Sequence, residues 1–153
     1  MMKINVRKLI ICILIPVLLG TAVGLLTSGS YNDMIQPSFA PPGVVFPIVW
    51  SILYTLMGIS SYIVLESNSY SKDEAIFIYV VQLIVNLLWS FFFFTFKWYF
   101  FSFIWILLLI FLVYFMIKRF YNISKISGYI QIPYIIWLIF AAILNFSIFT
   151  LNR

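Results

Sequence analysis

The segment from Ala75 to Ile117, AIFIYVVQLIVNLLWSFFFFTFKWYFFSFIWILLLIFLVYFMI, carries a single charge, Lys97. As one helix rising about 1.5 Å per residue it would run about 65 Å, twice the roughly 30 Å of a bilayer's hydrocarbon core. The chain must therefore turn back near Thr95–Trp98, leaving two spans, Ala75–Phe96 and Trp98–Ile117. Outward from this pair lie three further uncharged runs, Leu9–Leu26, Val44–Leu65 and Gly128–Leu151. Each is long enough to cross. Their unbroken apolarity contradicts the alternating pattern of an outer-membrane barrel. The expected fold is all-α: an integral membrane protein, a five-transmembrane-helix bundle forming a single domain over 1–153.

Composition excludes the competing classes. Of 153 residues, 65% are apolar, 21% aromatic and 8% charged, too few charges to solvate a soluble domain. The 9 Lys and Arg against 4 Asp and Glu give +5. That excess belongs to membrane topology, and no basic patch with interleaved aromatics points to nucleic acid. There is no histidine and one cysteine, Cys12. Hence no metal site, no internal disulfide and no required cofactor are expected.

Lys3, Arg7, Lys8, Lys72, Lys118, Arg119 and Lys125 fall on one side of the expected topology; Lys97 and Arg153 fall on the other. The positive-inside rule places the N-terminus in the cytoplasm. The first run is long for the apolar region of a signal peptide and is read as a retained helix. Thr27–Gly43 is the one long connection, stiffened by Pro37, Pro41 and Pro42. Tyr31, Met34, Ile35 and Phe39 give it apolar groups to bury, as expected of a lid on the outer helix ends.

Three runs carry stripes at helical spacing: Phe46, Trp50, Tyr54 and Met57; Gln82, Asn86, Trp89 and Phe93; Tyr134, Trp137, Ala141 and Asn145. Counted from the outer end, these stripes meet about 10 to 20 Å deep, beneath the loop. Two readings stand. In the first, the amides make interhelical hydrogen bonds within ordinary packing. Alternatively they line an outer-half pocket for a flat hydrophobic ligand such as a steroid, a porphyrin or another polycycle. No charge lies inside the spans, so an ion-coupled carrier has no charge carrier. Gly20-Thr-Ala-Val-Gly24 is a GxxxG pattern, suited to packing within the bundle or between subunits.

These residues resemble the TspO/MBR family, the tryptophan-rich sensory proteins, whose animal members are called translocator protein or peripheral benzodiazepine receptor. Three blocks carry the resemblance. Pro37-Ser-Phe39-Ala-Pro41-Pro42 with Phe46-Pro47-Ile-Val49-Trp50, Leu53-Tyr54 and Met57-Gly58 is similar to the family's loop and second helix. Gln82…Asn86-Leu-Leu-Trp89…Phe93-Phe94 is similar to the third helix, and Pro133-Tyr134-Ile-Ile-Trp137…Phe140-Ala141…Leu144-Asn145 to the fifth. The resemblance implies a receptor, often a homodimer in the lipid bilayer, for protoporphyrin IX and other tetrapyrroles, cholesterol and synthetic benzodiazepine-like compounds. It places Trp50, Asn86, Trp89, Trp137, Ala141 and Asn145 around the ligand with Tyr31 of the loop closing the pocket, and the stripes add Phe46, Tyr54 and Phe93 as ligand-binding candidates. It also implies light- and oxygen-dependent porphyrin breakdown, with Trp50 and Trp137 as electron donors. Transport of porphyrin or sterol, or a ligand-regulated membrane partner, are the alternatives. Ser30 stands where many members have Trp, and Leu144–Arg153 lacks the tyrosine of the animal cholesterol motif. The Ile-, Phe-, Lys- and Asn-rich usage points to a bacterial cell membrane; a eukaryotic member would sit in the outer mitochondrial membrane.

Overall fold

The computed structural model describes residues 3–153. Its elements are α1 (Val6–Leu26), a 3-10 turn (Tyr31–Asp33), α2 (Val45–Leu65), α3 (Lys72–Ser90), a π-helical turn (Phe91–Thr95), α4 (Tyr99–Ile123), α5 (Lys125–Ile130) and α6 (Ile132–Asn152). They make five membrane-length segments, α3 with its π turn counting as one and α5 with α6 as another. No strand occurs among the described residues. The five expected spans are all present.

Several helices outrun the uncharged segments. α1 begins at Val6 rather than Leu9, α3 at Lys72 rather than Ala75, and α4 continues to Ile123 rather than ending at Ile117. Absence of charge marks what hydrocarbon tolerates, whereas a helix ends where its terminal groups find partners. Asn5 caps α1 by accepting from the Lys8 N–H at 3.1 Å. Asp73 and Glu74 occupy the first turn of α3, where negative charge complements the helix dipole. The fifth span starts at Lys125 instead of Gly128 and is interrupted at Gln131. Pro133 sits in the first turn of α6, where a missing N–H costs little and a new helix start is favoured.

The expected turn around Lys97 is tight. The Phe96 N–H donates to Phe91 O and the Trp98 N–H to Phe92 O, both at 2.9 Å. Lys97 itself takes a left-handed conformation, φ 56°. The wider π turn and this single left-handed residue reverse the chain within three residues of α4.

Two kinds of packing hold the segments together. α1 lies mainly on α2, where Gly58 lets the backbones touch: a Cβ there would collide with the main chain of Cys12 and Ile13. The remaining helices enclose a core of large side chains, among them Met57, Ile106, Met116, Phe120, Tyr134 and Leu138, all essentially inaccessible. At the end away from the long loop, Lys8 pairs with Glu66, and Arg119 with Glu74 at 2.6 Å. The Asn5 N–H donates to the Tyr62 hydroxyl at 2.8 Å, tying the start of α1 to the end of α2.

Candidate functional site

The polar members of the three stripes face one another across the core. The Tyr54 hydroxyl donates to Asn86 Oδ1 at 2.6 Å, and Asn86 Nδ2 donates to the Tyr134 hydroxyl at 2.7 Å. That hydroxyl donates onward to Gln82 Oε1 at 2.7 Å. This chain links α2, α3 and α6. Nearer the loop, Trp89 Nε1 donates to Asn145 Oδ1 at 3.0 Å, while Asn145 Nδ2 donates to Tyr99 O at 2.8 Å. The amides thus serve as interhelical ties, the first of the two readings.

The open space lies to one side of these ties. A chamber of about 500 Å³ is bounded by the second half of α1, the long loop, the first half of α2 and the end of α3. Its size suits a drug-sized molecule. Tyr31, Phe46, Trp50, Tyr54 and Trp89 line it, as expected, with Phe94 beside them. Trp50 stacks on Tyr54 with ring centroids 5.4 Å apart, so one aromatic face of α2 forms a flat wall. Val17, Thr21 and Gly24 of α1 also line the chamber, while Gly20 packs directly on the Tyr54 ring.

Five expected pocket residues are elsewhere. Phe93, Ala141 and Asn145 border a crevice of about 10 Å³ on the α6 side, which shares Tyr31, Phe46, Trp89 and Phe94 with the chamber. Stacked rings fill that side: Trp89 on Phe93 at 4.9 Å, with Phe94 edge-on to both. Asn86 is buried, both ends of its amide committed between Tyr54 and Tyr134, and lines neither space. Trp137 also lines neither. It meets Phe46 edge-on at 5.9 Å, behind the chamber wall, and its indole nitrogen is buried without a hydrogen-bond partner among the described residues.

The α1 wall was missed in the sequence, although the GxxxG pattern marked it. The two glycines do different work. A Cβ on Gly20 would strike the Tyr54 ring, so Gly20 seats the tyrosine that begins the hydrogen-bonded chain. A Cβ on Gly24 would meet nothing within 4 Å, because Gly24 faces the chamber.

The long loop is tied to α6 near its middle and to itself around Tyr31. Asn152, in the last turn of α6, accepts from the Ile35 N–H at 3.0 Å and donates to Ile35 O at 2.9 Å. The Tyr31 hydroxyl donates to Pro41 O at 2.9 Å, and Gln36 Nε2 donates to Tyr31 O at 2.7 Å. Burial raises the Tyr31 phenol above its ordinary pKa, so it remains a neutral donor. Of the four apolar loop residues expected to bury, Tyr31 and Met34 do; Ile35 and Phe39 stay exposed.

Comparison with known proteins agrees with this architecture. The model of the TspO/MBR family matches residues 12–151. The chain is 34% identical to the tryptophan-rich protein TspO of Archaeoglobus fulgidus over 152 residues, covering 97% of this chain and 99% of that one. It is 32% identical to the protein of the same name from Chlorobaculum tepidum, over 99% of both chains. The tryptophan-rich sensory protein of Cereibacter sphaeroides is 30% identical over 80% of this chain and 76% of its own. A five-span helical bundle with an aromatic chamber under its first loop, matched by a family model from α1 to the end of α6, is a membrane protein that belongs to the TspO/MBR family.

Proposed function

We propose that this protein is a membrane receptor or sensor for flat hydrophobic ligands, protoporphyrin IX-like tetrapyrroles first among them. The observation that carries the reading is the chamber itself: about 500 Å³, walled by Trp50, Tyr54, Phe46 and Trp89 and bordered by Tyr31 of the loop. Aromatic faces stack on a planar ligand without needing a charged partner. The sensory name of the Cereibacter relative and the shared family support the receptor role. In this reading the loop is a lid, the N-terminus is cytoplasmic, the protein sits in a bacterial cell membrane, and two copies associate as a homodimer.

A second activity follows from the tryptophans. An excited tetrapyrrole in the chamber would lie against Trp50, with Trp137 one ring away through Phe46. Light- and oxygen-dependent breakdown then draws on Trp50 as the contacting electron donor and Trp137 as the second. The test is porphyrin titration of the protein in nanodiscs, read by tryptophan quenching in the dark and by porphyrin absorbance under light. Saturable binding at one site per chain and protein-dependent porphyrin loss are expected. Trp50→Phe should lower the loss more than Trp137→Phe, and the double variant should remove it while binding persists. Absence of saturable binding would overturn the receptor reading. Unchanged loss in the double variant would overturn the chemical role alone.

A further inference from the structure

Most side-chain hydroxyls of the chamber wall are one-sided in their hydrogen bonding. Among the described residues, no charged side chain lines it. Its hydroxyls have already given their protons to main-chain oxygens: Thr21 to Val17 O at 2.7 Å, Thr27 to Val23 O at 2.8 Å, Ser28 to Leu25 O at 3.1 Å, and Ser51 to Pro47 O at 2.6 Å. Tyr54 and Trp89 have likewise donated to Asn86 and Asn145. A hydroxyl that donates keeps lone pairs to offer. Below the exposed Asn32 at the mouth, only the Trp50 indole and the Ser90 hydroxyl are lining side chains with no such commitment. The sole charge in the loop, Asp33, follows Asn32 and is negative.

Resting on the receptor reading, we infer that the chamber selects hydrophobic ligands whose polar groups donate hydrogen bonds, such as alcohols, amines and N–H heterocycles, and excludes carboxylates from its interior. A donor brought inside finds waiting lone pairs. A carboxylate brought inside loses its water and finds no cation, with only the Trp50 indole N–H and the Ser90 hydroxyl left to donate among the lining side chains. The acid groups of a bound tetrapyrrole therefore stay at the mouth and contribute nothing to affinity.

The test uses one flat scaffold in three forms: 1-pyrenemethanol, its methyl ether and 1-pyrenecarboxylate. Each is titrated into nanodiscs with and without protein and read by tryptophan-to-pyrene energy transfer. Protoporphyrin IX and its dimethyl ester are run in parallel. The alcohol should bind about tenfold tighter than its ether, the size of one good buried hydrogen bond, and tighter still than the carboxylate. The dimethyl ester should bind at least as tightly as the free porphyrin acid. Thr21→Val, which removes one acceptor at nearly constant shape, should narrow the alcohol-to-ether ratio. Asp33→Lys should improve the carboxylate without moving the alcohol. Equal binding of alcohol and ether, or a carboxylate or porphyrin acid tenfold tighter than its neutral counterpart, overturns the inference. So does failure of all three pyrenes to bind saturably. Neither porphyrin binding while the alcohol preference holds would remove the tetrapyrrole reading and leave this one standing. Circular dichroism and elution volume confirm that each variant is folded.

Discussion

The two sides of the bundle are built on opposite principles. On the α6 side, long side chains from α2, α3 and α6 meet across the core, and Asn86, Asn145, Tyr54 and Tyr134 are hydrogen-bonded to one another or to backbone. On the α1 side, small residues face an aromatic wall over open volume. One side is closed by polar ties and the other is kept open by missing side chains. In a membrane interior, then, an amide on a helix marks where helices are fastened, and a glycine opposite aromatic residues marks where something else fits. If that division holds, substitutions on the two sides should fail in different ways, and glycines in similar helices should respond with opposite signs.

The largest effect is expected at Gly58. Its hydrogen faces the α1 main chain at Cys12 and Ile13, and backbone has nowhere to rotate away. Gly58→Ala should destabilise the protein by about 2 to 3 kcal/mol, the range of overpacking against a rigid neighbour. A thermal unfolding scan in nanodiscs checks this. An unchanged midpoint would mean that the α1–α2 contact is soft, and the contrast between the two sides would lose one of its supports.

Next comes Asn86→Leu, which fills a similar volume and removes both bonds of the amide. The Tyr54 hydroxyl loses its acceptor, while Tyr134 retains Gln82. A loss of about 2 kcal/mol is expected, because one buried hydroxyl is left without a partner. Ligand affinity should change less than stability, since Asn86 does not line the chamber. The opposite result, affinity lost at constant stability, would return Asn86 to the binding wall that the spacing of the stripes first suggested.

Asn152 tests the loop. Asn152→Ala removes two bonds to Ile35, both on exposed groups, so the midpoint should move by less than about 1 kcal/mol. Release of a fluorescent ligand, followed by stopped flow, should speed up about fivefold if one such bond holds the loop closed. An unchanged release rate would show that ligands leave without displacing this part of the loop.

What was legible in the sequence follows the same division. Five spans and the reversal at Lys97 were readable because hydrocarbon tolerates so few charges that each one marks a boundary. The aromatic members Phe46, Trp50, Tyr54 and Trp89 were readable from helical spacing beneath a long loop. The roles of Asn86 and Asn145 were not, because spacing places an amide on a face without saying whether a neighbouring side chain reaches it first. Tyr134 and Tyr54 do reach Asn86, and this depends on three helices at once. The break at Gln131 was hidden because Pro133 fits equally well inside a kinked membrane helix or at the start of a new one. The α1 wall was hidden because a GxxxG pattern looks the same whether it receives another helix or a ligand.

Gly24 carries the smallest predicted change and the sharpest contrast. It shares α1 with Gly20 and lies one turn beyond it, yet a Cβ there enters empty space rather than a ring. Glycine within a helix is less stable than alanine by about 0.5 to 1 kcal/mol, so Gly24→Ala should raise stability by a few tenths to that full amount. Gly20→Ala should lower it, because the Tyr54 ring must move and carries its bond to Asn86 with it. A larger residue extends the argument from stability to function. Gly24→Leu should keep the fold while occupying the chamber between Thr21 and the Trp50 wall, weakening a flat ligand at least tenfold. Gly24→Leu that folds and still binds at full affinity would mean the ligand sits on the α6 side after all, prising open the small crevice beside Ala141 and Asn145.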